Sequence, residues 1–416
     1  MSVASRVHRH LVECRKRADE AYGRRVAGTY KLIYQLAKFG RPVTRRTNAL
    51  RSIGAALRKY GRAVRETSGV SLTQQLVQQY EGVVRCHLSP KDYYLYTVYN
   101  DSARMGEYIA QKDWWQLLDW LLTAQDTGER TVLDDKRKGE RHFLRQGLPA
   151  IRTFAVFEDG DIQPVQWDGF SPLPGQDLFS KPAEASYGRG ARRWLFQRDG
   201  RYRAESGETV SLDELLDTLA LQSEVEPVLL QPRIANHRQL RMLSGDTLAS
   251  LRIITMRWPE ESAQYLIGCI SLPLGDVVGS NARFGVLRAS IEASTGRLGA
   301  AYDRNDIARI MEPVPVHPMT GERIAGFQLP DWDAAVDLAL QAHNTLPTIA
   351  LVGWDIAITP DGPVIIEGNS TPGANSPQIT HKMPWGATDF PECYMANWEY
   401  ATRSPRARSP RSPAPQ

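Results

Sequence analysis

The sequence predicts a fold that mixes helices with strands, with the helices first and the strands after them. Apolar residues recur at helical spacing through residues 4–66, and residues 71–125 continue as helices. From residue 176 onward, short apolar runs alternate with glycine and proline, which is typical of strands joined by turns. A chain of 416 residues is long enough for two or three subdomains around a sizeable core.

The composition is that of a soluble globular protein, with 42% apolar and 24% charged residues. No run of about 18 apolar residues is present, and the first residues are basic and polar, unlike a signal core. The four cysteines lie far apart, without metal or redox spacing, at Cys14, Cys86, Cys269 and Cys393. We therefore expect a reduced, cytoplasmic setting.

The net charge of +4 hides an uneven distribution. Residues 1–70 contain 17 Lys/Arg against 4 Asp/Glu, and residues 403–416 contain 4 Arg and no acid. The basic arm could weakly contact an anionic surface, touch the acidic body, or simply be a solvated helical face. We expect its apolar stripe to pack on the body, and no nucleic acid partner. The stripe comprises Leu11, Leu32, Ile33 and Leu36.

Four regions are expected along the chain. Residues 1–66 form the basic helical arm, and residues 67–130 form a helical region rich in tyrosine and tryptophan. These aromatic side chains could stack on bases or sugars, but core packing between helices is the favoured interpretation. Residues 131–400 form the main domain, and residues 401–416, with three Ser-Pro pairs, are expected to be disordered.

The most informative stretch is a predicted hairpin, LVGWDIAITPDGPVIIEGN, at residues 351–369. If the turn triplet PDG is the loop, Thr359 faces Pro363 and Asp355 faces Glu367. Because side chains alternate along a strand, Asn369 joins the two carboxylates on one face. Such an oxygen cluster suits Mg²⁺, with Mn²⁺ as an alternative, although an ordinary hairpin could expose the same residues to water. The opposite face would be filled by Trp354, Ile356 and Ile366.

This motif also resembles a known family. Asp355, Glu367-Gly368-Asn369 and the following Pro-Gly resemble the metal-binding signature of ATP-grasp enzymes. The phrase GWDIAITPDGPVIIEGN is similar to one branch, the sugar-transfer-associated ATP-grasp proteins. The resemblance covers about residues 90–390. It implies an α+β ATP-grasp fold in which ATP lies between two subdomains, with Mg²⁺ held by Asp355, Glu367 and Asn369.

The resemblance also implies where the nucleotide phosphates bind. Lys136, followed by Phe143 and a Gly-Leu-Pro stretch, is similar to a passage whose lysine contacts ATP phosphates. Lys181 ends a predicted strand before a glycine loop that contains Gly188 and Gly190. Backbone N–H groups of such a loop approach phosphate oxygens, and the lysine adds a positive charge. The alternative is a surface hairpin with a flexible loop.

A predicted strand that ends at residues 231–234 matches the hinge that holds adenine in the family. Gln231, Pro232 and Ile234 fall at the matching positions. Many ATP-grasp enzymes place acids at this hinge and just beyond it, and this chain does not, which leaves ribose recognition open. His237 is a candidate ribose contact.

One arginine lies inside a predicted apolar strand, LASLRIITM, at Arg252. A charge in a strand needs a partner or a ligand. The resemblance implies a catalytic place near the phosphates or the acceptor, but Arg252 could instead pair with an acid of the site. Many relatives supply a further basic residue, for which Arg288 is the nearest choice.

The activity that the resemblance implies is carboxylate activation. A small-molecule carboxylate would become an acylphosphate and then react with an amine, giving an amide, ADP and phosphate. Two alternatives remain open. A kinase would phosphorylate a hydroxyl at the same site, and a non-catalytic protein would act through its basic arm. The substrates and the oligomeric state are not given by the sequence.

Overall fold

A computed structural model describes the chain over residues 42–125, 128–164, 175–183, 190–204, 206–275, 285–303 and 312–403. A helical region precedes two antiparallel sheets of seven and six strands. This architecture confirms the predicted α+β fold. The apolar stripe expected in the basic arm lies outside the described residues, as do residues 404–416 of the expected disordered tail. Residues 401–403 of that tail are instead helical, because the last helix, Phe390–Arg403, continues to them.

Helices occupy the N-terminal part of the described chain, and further helices pack on both sheets. Capping boxes at Ser71 and Ser89 fix where two of them begin, because each serine accepts a hydrogen bond from a backbone N–H three residues later. A π-helical turn, Leu57–Gly61, joins the first two helices. The helices are α1 (Pro42–Ala56), α2 (Arg62–Ser68), α3 (Leu72–Arg85), α4 (Pro90–Leu95), α5 (Gln111–Gln125), α6 (Arg130–Asp134), α7 (Lys136–Arg145), α8 (Leu212–Ser223), α9 (Arg238–Ser244), α10 (Trp332–Asn344), α11 (Asn375–His381) and α12 (Phe390–Arg403).

The first sheet has the strand order β2-β1-β7-β3-β4-β5-β6. Its central strands are short and apolar, and α8 packs against them through Leu215 and Leu219. Its strands are β1 (Ala155–Glu158), β2 (Asp161–Pro164), β3 (Leu178–Pro182), β4 (Arg192–Phe196), β5 (Tyr202–Ala204), β6 (Thr209–Val210) and β7 (Val228–Pro232).

The second sheet has the strand order β11-β10-β9-β8-β12-β13. One face packs on α10 and forms the largest apolar core, which includes Ile253, Ile270 and Trp354. The opposite face carries polar side chains over several strands, because successive residues point to alternate faces. Its strands are β8 (Ser250–Met256), β9 (Gln264–Pro273), β10 (Val286–Ile291), β11 (Leu298–Tyr302), β12 (Leu351–Thr359) and β13 (Gly362–Asn369).

The aromatic residues of the helical region lie in the interior, as core packing predicts. Four tyrosines of this region are at most 6% exposed, and the buried Trp114 stacks on Trp385 with ring centroids 4.3 Å apart. Trp115 is the exception and is exposed. Within the described ranges, no helix combines the length and the apolar character needed to cross a bilayer. The buried tyrosines are Tyr93, Tyr94, Tyr96 and Tyr99.

The segment between α7 and β1 joins the two sheets. Ile365 of β13 donates its N–H to the carbonyl oxygen of Pro149 at 2.9 Å and accepts from the N–H of Ile151 at 3.1 Å. Phe143 of α7 packs edge-on against Trp354, with ring centroids 5.4 Å apart. The predicted Phe and Gly-Leu-Pro stretch therefore holds the first sheet against the motif-bearing hairpin.

Candidate active site

The hairpin of β12 and β13 places Asp355 directly opposite Glu367, as predicted. The turn itself differs from the prediction, because Thr359 faces Gly362 rather than Pro363. A bulge between Asp355 and Ile356 shifts the register by one residue and restores the carboxylate pair. The carboxylate pairing was therefore correct although the predicted turn was one residue too long.

The same bulge changes which isoleucine enters the core. Ile365 is 2% exposed and packs with Trp354 and Ile356, whereas the neighbouring Ile366 is only partly buried. The prediction had placed Ile366 on the apolar face. It was wrong because an extra residue at the bulge interrupts the alternation of faces on which the prediction rested.

Arg252 of β8 forms an ion pair with Asp355 on the neighbouring strand β12. Its Nε donates to Oδ1 at 2.5 Å and its Nη2 donates to Oδ2 at 2.9 Å, while the Asp355 side chain is only 1% exposed. Pairing with an acid of the site was one of the two predicted roles. A bidentate arginine keeps a buried carboxylate ionised and holds its orientation. A contact of Arg252 with phosphate stays a prediction.

Lys181 brings a positive charge from the first sheet to these carboxylates. Burial lowers the pKa of Lys181, and the charges of Glu367, Glu140 and Asp355 act in the opposite direction. Burial also raises the pKa of Glu367, and Asp355 raises it further. Charges from the two sheets are therefore close enough to act on each other's pKa values.

Lys136 is the second lysine of this group. It is the first residue of α7, where Asp135 caps the helix by accepting from the N–H of Arg137 at 2.9 Å. Its charge acts on both Lys181 and Glu367. The sequence-predicted phosphate lysines thus converge on the predicted metal ligands, although they come from separate elements.

Asn369 completes the predicted metal-binding set. Its Nδ2 donates to the carbonyl oxygen of Gly353 at 3.3 Å, so the oxygen end of the carboxamide is the one available to a cation. In the described residues, no group of three His, Cys, Asp or Glu side chains could hold a metal by itself. Two carboxylates and one carboxamide fit Mg²⁺, which keeps several waters and also binds substrate phosphates. Repulsion between Asp355 and Glu367 is also what a bound divalent cation would relieve.

The segment after Asn369 is held by the helical region. Trp114 Nε1 donates to the carbonyl oxygen of Pro372 at 2.5 Å, and Ser370 Oγ donates to Asp134 Oδ1 at 2.6 Å. Gln111 Oε1 accepts from the N–H groups of Ala374 and Asn375. These contacts hold the stretch against the helical region, where it forms a wall of the site.

The predicted glycine loop is only partly within the described residues. Gly188 lies outside them, whereas Gly190 precedes β4 with φ of 74°. A Cβ added at Gly190 would lie 2.9 Å from Cγ of Pro182. Both this close contact and the positive φ therefore disfavour any residue other than glycine. The phosphate contacts of both glycines stay predictions.

The hinge residues lie at the end of β7. Gln231 is 5% exposed, and its Nε2 donates to Thr153 Oγ1 at 3.0 Å, so its side chain is a structural link. Pro232 pairs with Leu178 of β3, and Ile234 is partly buried just beyond the strand. Nothing in this geometry tests the predicted contacts with adenine.

His237, the candidate ribose contact, has a structural task at the start of α9. Its ring Nδ1 accepts from the backbone N–H of Gln239 at 3.3 Å. The backbone N–H of His237 donates to the carbonyl oxygen of Ile358 at 2.8 Å. Asn236 beside it is buried and donates to the carbonyl oxygen of Thr247 at 2.8 Å. A ribose contact by His237 stays a prediction.

Glu140 is a residue of the site that the sequence analysis missed. It accepts hydrogen bonds from the backbone N–H of Thr153 at 2.5 Å and from the Thr153 hydroxyl. Burial raises the pKa of Glu140, and Lys181 is among the groups that lower it. The only sequence signal was an acid on the same helix as Lys136, one turn later, which is too common to single out.

Two antiparallel sheets that meet at a group of lysines and carboxylates define the class of ATP-grasp folds. A family model described as sugar-transfer associated ATP-grasp matches residues 120–384. This match spans more than half of the chain, and the protein therefore belongs to the sugar-transfer associated ATP-grasp family. No curated protein matches the chain in sequence.

Solved structures of similar fold include D-alanine–D-alanine ligase from Bacillus anthracis complexed with ATP. The identity is 11%, over 65% of this chain and 68% of that chain, with a TM-score of 0.36. VanG D-Ala:D-Ser ligase from Enterococcus faecalis is 11% identical over 64% and 61%, with a TM-score of 0.35. Biotin carboxylase from Campylobacter jejuni is 10% identical over 65% and 46%, with a TM-score of 0.38. At such TM-scores these likenesses establish nothing about the activity of this chain.

Proposed function

We propose that this protein is an ATP- and Mg²⁺-dependent ligase that couples a small-molecule carboxylate to an amine and releases ADP and phosphate. The observation that carries the proposal is the convergence of Lys136 and Lys181 on the Asp355–Glu367 pair. Lysines and metal-binding carboxylates at one point suit a phosphoryl group, whose transfer depends on positioning and charge compensation. Membership of an ATP-grasp family supports ATP as the phosphoryl donor.

Each part of the site has a proposed role in binding. Lys136 and Lys181 would bind the phosphates, with Gly188 and Gly190 covering them, and the hinge residues Gln231, Pro232 and Ile234 would lie along the adenine. Asp355, Glu367 and Asn369 would hold Mg²⁺, which supplies charge compensation on the phosphate oxygens. Arg252 holds Asp355 in place through two hydrogen bonds.

The proposed reaction has two steps. A carboxylate oxygen of the first substrate bonds to the γ-phosphorus while the bond to the β–γ bridging oxygen breaks, and ADP leaves. The amine nitrogen then attacks the acyl carbon, the bond to the phosphate oxygen breaks, and phosphate leaves. The nitrogen loses one proton as the amide forms. Charge on the transferring group is offset by Lys181 and Lys136 throughout the first step.

A screen of acids and amines for ADP release tests the proposal. A ligase releases ADP in equal amount to the amide formed, and only when acid and amine are both present. A hydroxyl compound that becomes phosphorylated without any amine would instead identify a kinase. ATP turnover that no combination of acid and amine stimulates would contradict the ligase proposal.

A further inference from the structure

The polar face of the second sheet extends well beyond the carboxylate pair. Asp355 lies opposite Arg252, and Arg252 lies opposite Cys269 on β9. Residues directly opposite each other in an antiparallel pair have side chains on the same face. Burial raises the pKa of Cys269, and the nearby guanidinium groups of Arg288 and Arg252 lower it. The polar face is therefore continuous from the metal ligands to Arg288.

Arg288 carries this face on to the outer strands of the sheet. It lies opposite Ser271 of β9 on one side and Tyr302 of β11 on the other. Its Nη1 donates to Ser271 Oγ at 2.7 Å, and the residue is only 6% exposed. A buried guanidinium and a tyrosine ring thus lie side by side at the end of the sheet remote from Glu367.

Lys382, directly after α11, also contacts the tyrosine ring. Its Nζ lies 4.1 Å from the centroid of the Tyr302 ring, and burial lowers the pKa of Lys382 to about 8. Its backbone has a φ of 50°, in the left-handed region that disfavours a lysine. A lysine that is partly desolvated and held in a disfavoured backbone conformation is more costly than glycine or asparagine at the same position.

The helix before Lys382 is firmly anchored. Tyr96 Oη donates to Asn375 Oδ1 at 2.6 Å, and Gln378 exchanges two hydrogen bonds with the backbone of Ile109. His381 Nε2 lies 2.7 Å from the carbonyl oxygen of Gly268 on β9. Lys382 is therefore preorganised against the sheet, which reduces the entropy lost when a ligand binds.

The distance along this face constrains the ligand. Strand β12, which carries Asp355, is four strand spacings from β11, or roughly 19 Å at about 4.8 Å per spacing. Strand β10, which carries Arg288, is three spacings from β12, or roughly 14 Å. A single carboxylate at the metal end therefore cannot also contact Lys382 at the Tyr302 ring. Two cations at the far end suit a separate anionic group.

The geometry points to an anion subsite formed by Lys382, Arg288 and the Tyr302 ring, which binds a carboxylate or phosphate group of a substrate away from the reacting carboxylate. This inference rests on the proposed function for its role, and it restricts the substrates to those with an additional anionic group. Lys382 acts in it as a specificity-determining residue, because it lies on the Tyr302 ring, four strand spacings from the strand of Asp355.

A binding experiment without ATP tests the subsite independently of any activity. Lys382 is acylated at pH 8 in the full chain and quantified by mass spectrometry, with inorganic phosphate, glutarate or butyrate as the probe. We expect phosphate or glutarate to slow labelling of Lys382 at least 3-fold and butyrate to have less effect. The exposed Lys91 serves as the internal control and should label equally in all samples. Equal labelling of Lys382 with and without the two dianions would overturn the subsite.

A kinetic experiment then tests its role and identifies the anion. Lys382→Asn removes the charge with a residue that tolerates positive φ, and Lys382→Arg restores the charge. Lys382→Asn should raise the KM of dicarboxylates or phosphorylated acids about 10-fold at unchanged kcat, and Lys382→Arg should recover most of this loss. An equal loss for mono- and dianionic acids would show a structural role only and overturn the inference. If no acid supports ADP release, the proposed function fails, and the labelling result alone decides whether the subsite exists.

Discussion

Glu367 is the single residue on which the proposed chemistry depends most directly. Glu367→Gln keeps the shape of the side chain and removes a charge from the metal-binding set. We expect ADP release to fall by about 100-fold or more, as is usual when a preorganised charge-stabilising group is lost. Circular dichroism and melting temperature should be nearly unchanged. Glu208→Gln, at an exposed position, is the matched control. Normal turnover in Glu367→Gln would remove the basis of the assignment.

Lys181 allows a separate test of nucleotide binding. Lys181→Ala should raise the Kd of ATP about 10- to 100-fold, because a charge-assisted hydrogen bond contributes about 1.5–3 kcal/mol. Lys59→Ala, in the exposed part of the π-helical turn, should leave the Kd unchanged. Isothermal calorimetry measures both. Equal effects of the two substitutions would contradict a phosphate role for Lys181.

At the scale of elements, the hairpin depends on a close contact with the segment that follows it. A Cβ added at Gly353 of β12 would lie 2.5 Å from Cβ of Pro372. Gly353→Ala should therefore lower the free energy of unfolding by about 1–3 kcal/mol, the usual cost of overpacking. Chemical denaturation measures this change. Gly128→Ala meets no atom within 4 Å and is the control, expected within about 0.5 kcal/mol of wild type. Similar stabilities for both variants would show that the wall of the site can move.

The stability of the whole molecule should depend on pH through a buried histidine. The ring of His343 lies 2.7 Å from Thr255 Oγ1 through Nδ1 and 2.8 Å from the carbonyl oxygen of Ile349 through Nε2. Burial lowers the pKa of His343 to about 4. An unfolded histidine titrates near 6.5, so the unfolded state binds the proton first as pH falls. The neutral His343 makes its full contribution to the free energy of unfolding above about pH 6.5. This contribution should fall by up to about 3 kcal/mol as the pH decreases to 4.

Denaturation curves between pH 4 and pH 8 test this dependence. His343→Gln cannot be protonated in this range, so its free energy of unfolding should vary less with pH than that of the wild type. It is expected to be less stable at pH 8, where the histidine fits best. An unchanged pH profile in the variant would show that other groups, such as His317 or His381, whose pKa values burial also lowers, are responsible.

The basic arm gives a prediction for the whole chain. We propose that its apolar stripe packs on the body and that its arginines contact anionic surfaces weakly. Deletion of residues 1–41 should then lower the melting temperature, leave the Kd of ATP unchanged and reduce salt-sensitive binding to anionic vesicles. Screening acts over about 8 Å at physiological salt, so only surfaces nearly in contact are affected. Deletion to residue 66 should destabilise further, because Ile53 and Val64 are buried. An arm deletion without any of these effects would refute both parts.

Local chemistry explains why much of the site was predictable. The turn residues predict the hairpin of β12 and β13, and alternation places Asp355 and Glu367 on one face. Their direct pairing also needs the bulge between Asp355 and Ile356, which offsets the shorter turn. Lys136 and Lys181 were recognised through resemblance, since their spacing alone would not distinguish them. The bulge at Ile366 was not predictable, because it depends on how β13 pairs and packs in the assembled sheet. Glu140 was missed for a similar reason, since its role comes from Thr153 and Lys181, which other elements supply.

The sequence by itself determined the α+β class and the hairpin that carries Asp355, Glu367 and Asn369, whereas the binding of phosphate and Mg²⁺ there stays a prediction. These features follow from periodicity, turn chemistry and short motifs, which act within about ten residues. The tertiary structure decided that Arg252 pairs with Asp355, that the segment after Asn369 is held by Trp114, and that Lys382 lies on Tyr302. Each of these contacts joins residues from separate elements. Their geometry exists only after the two sheets and the helical region have packed together.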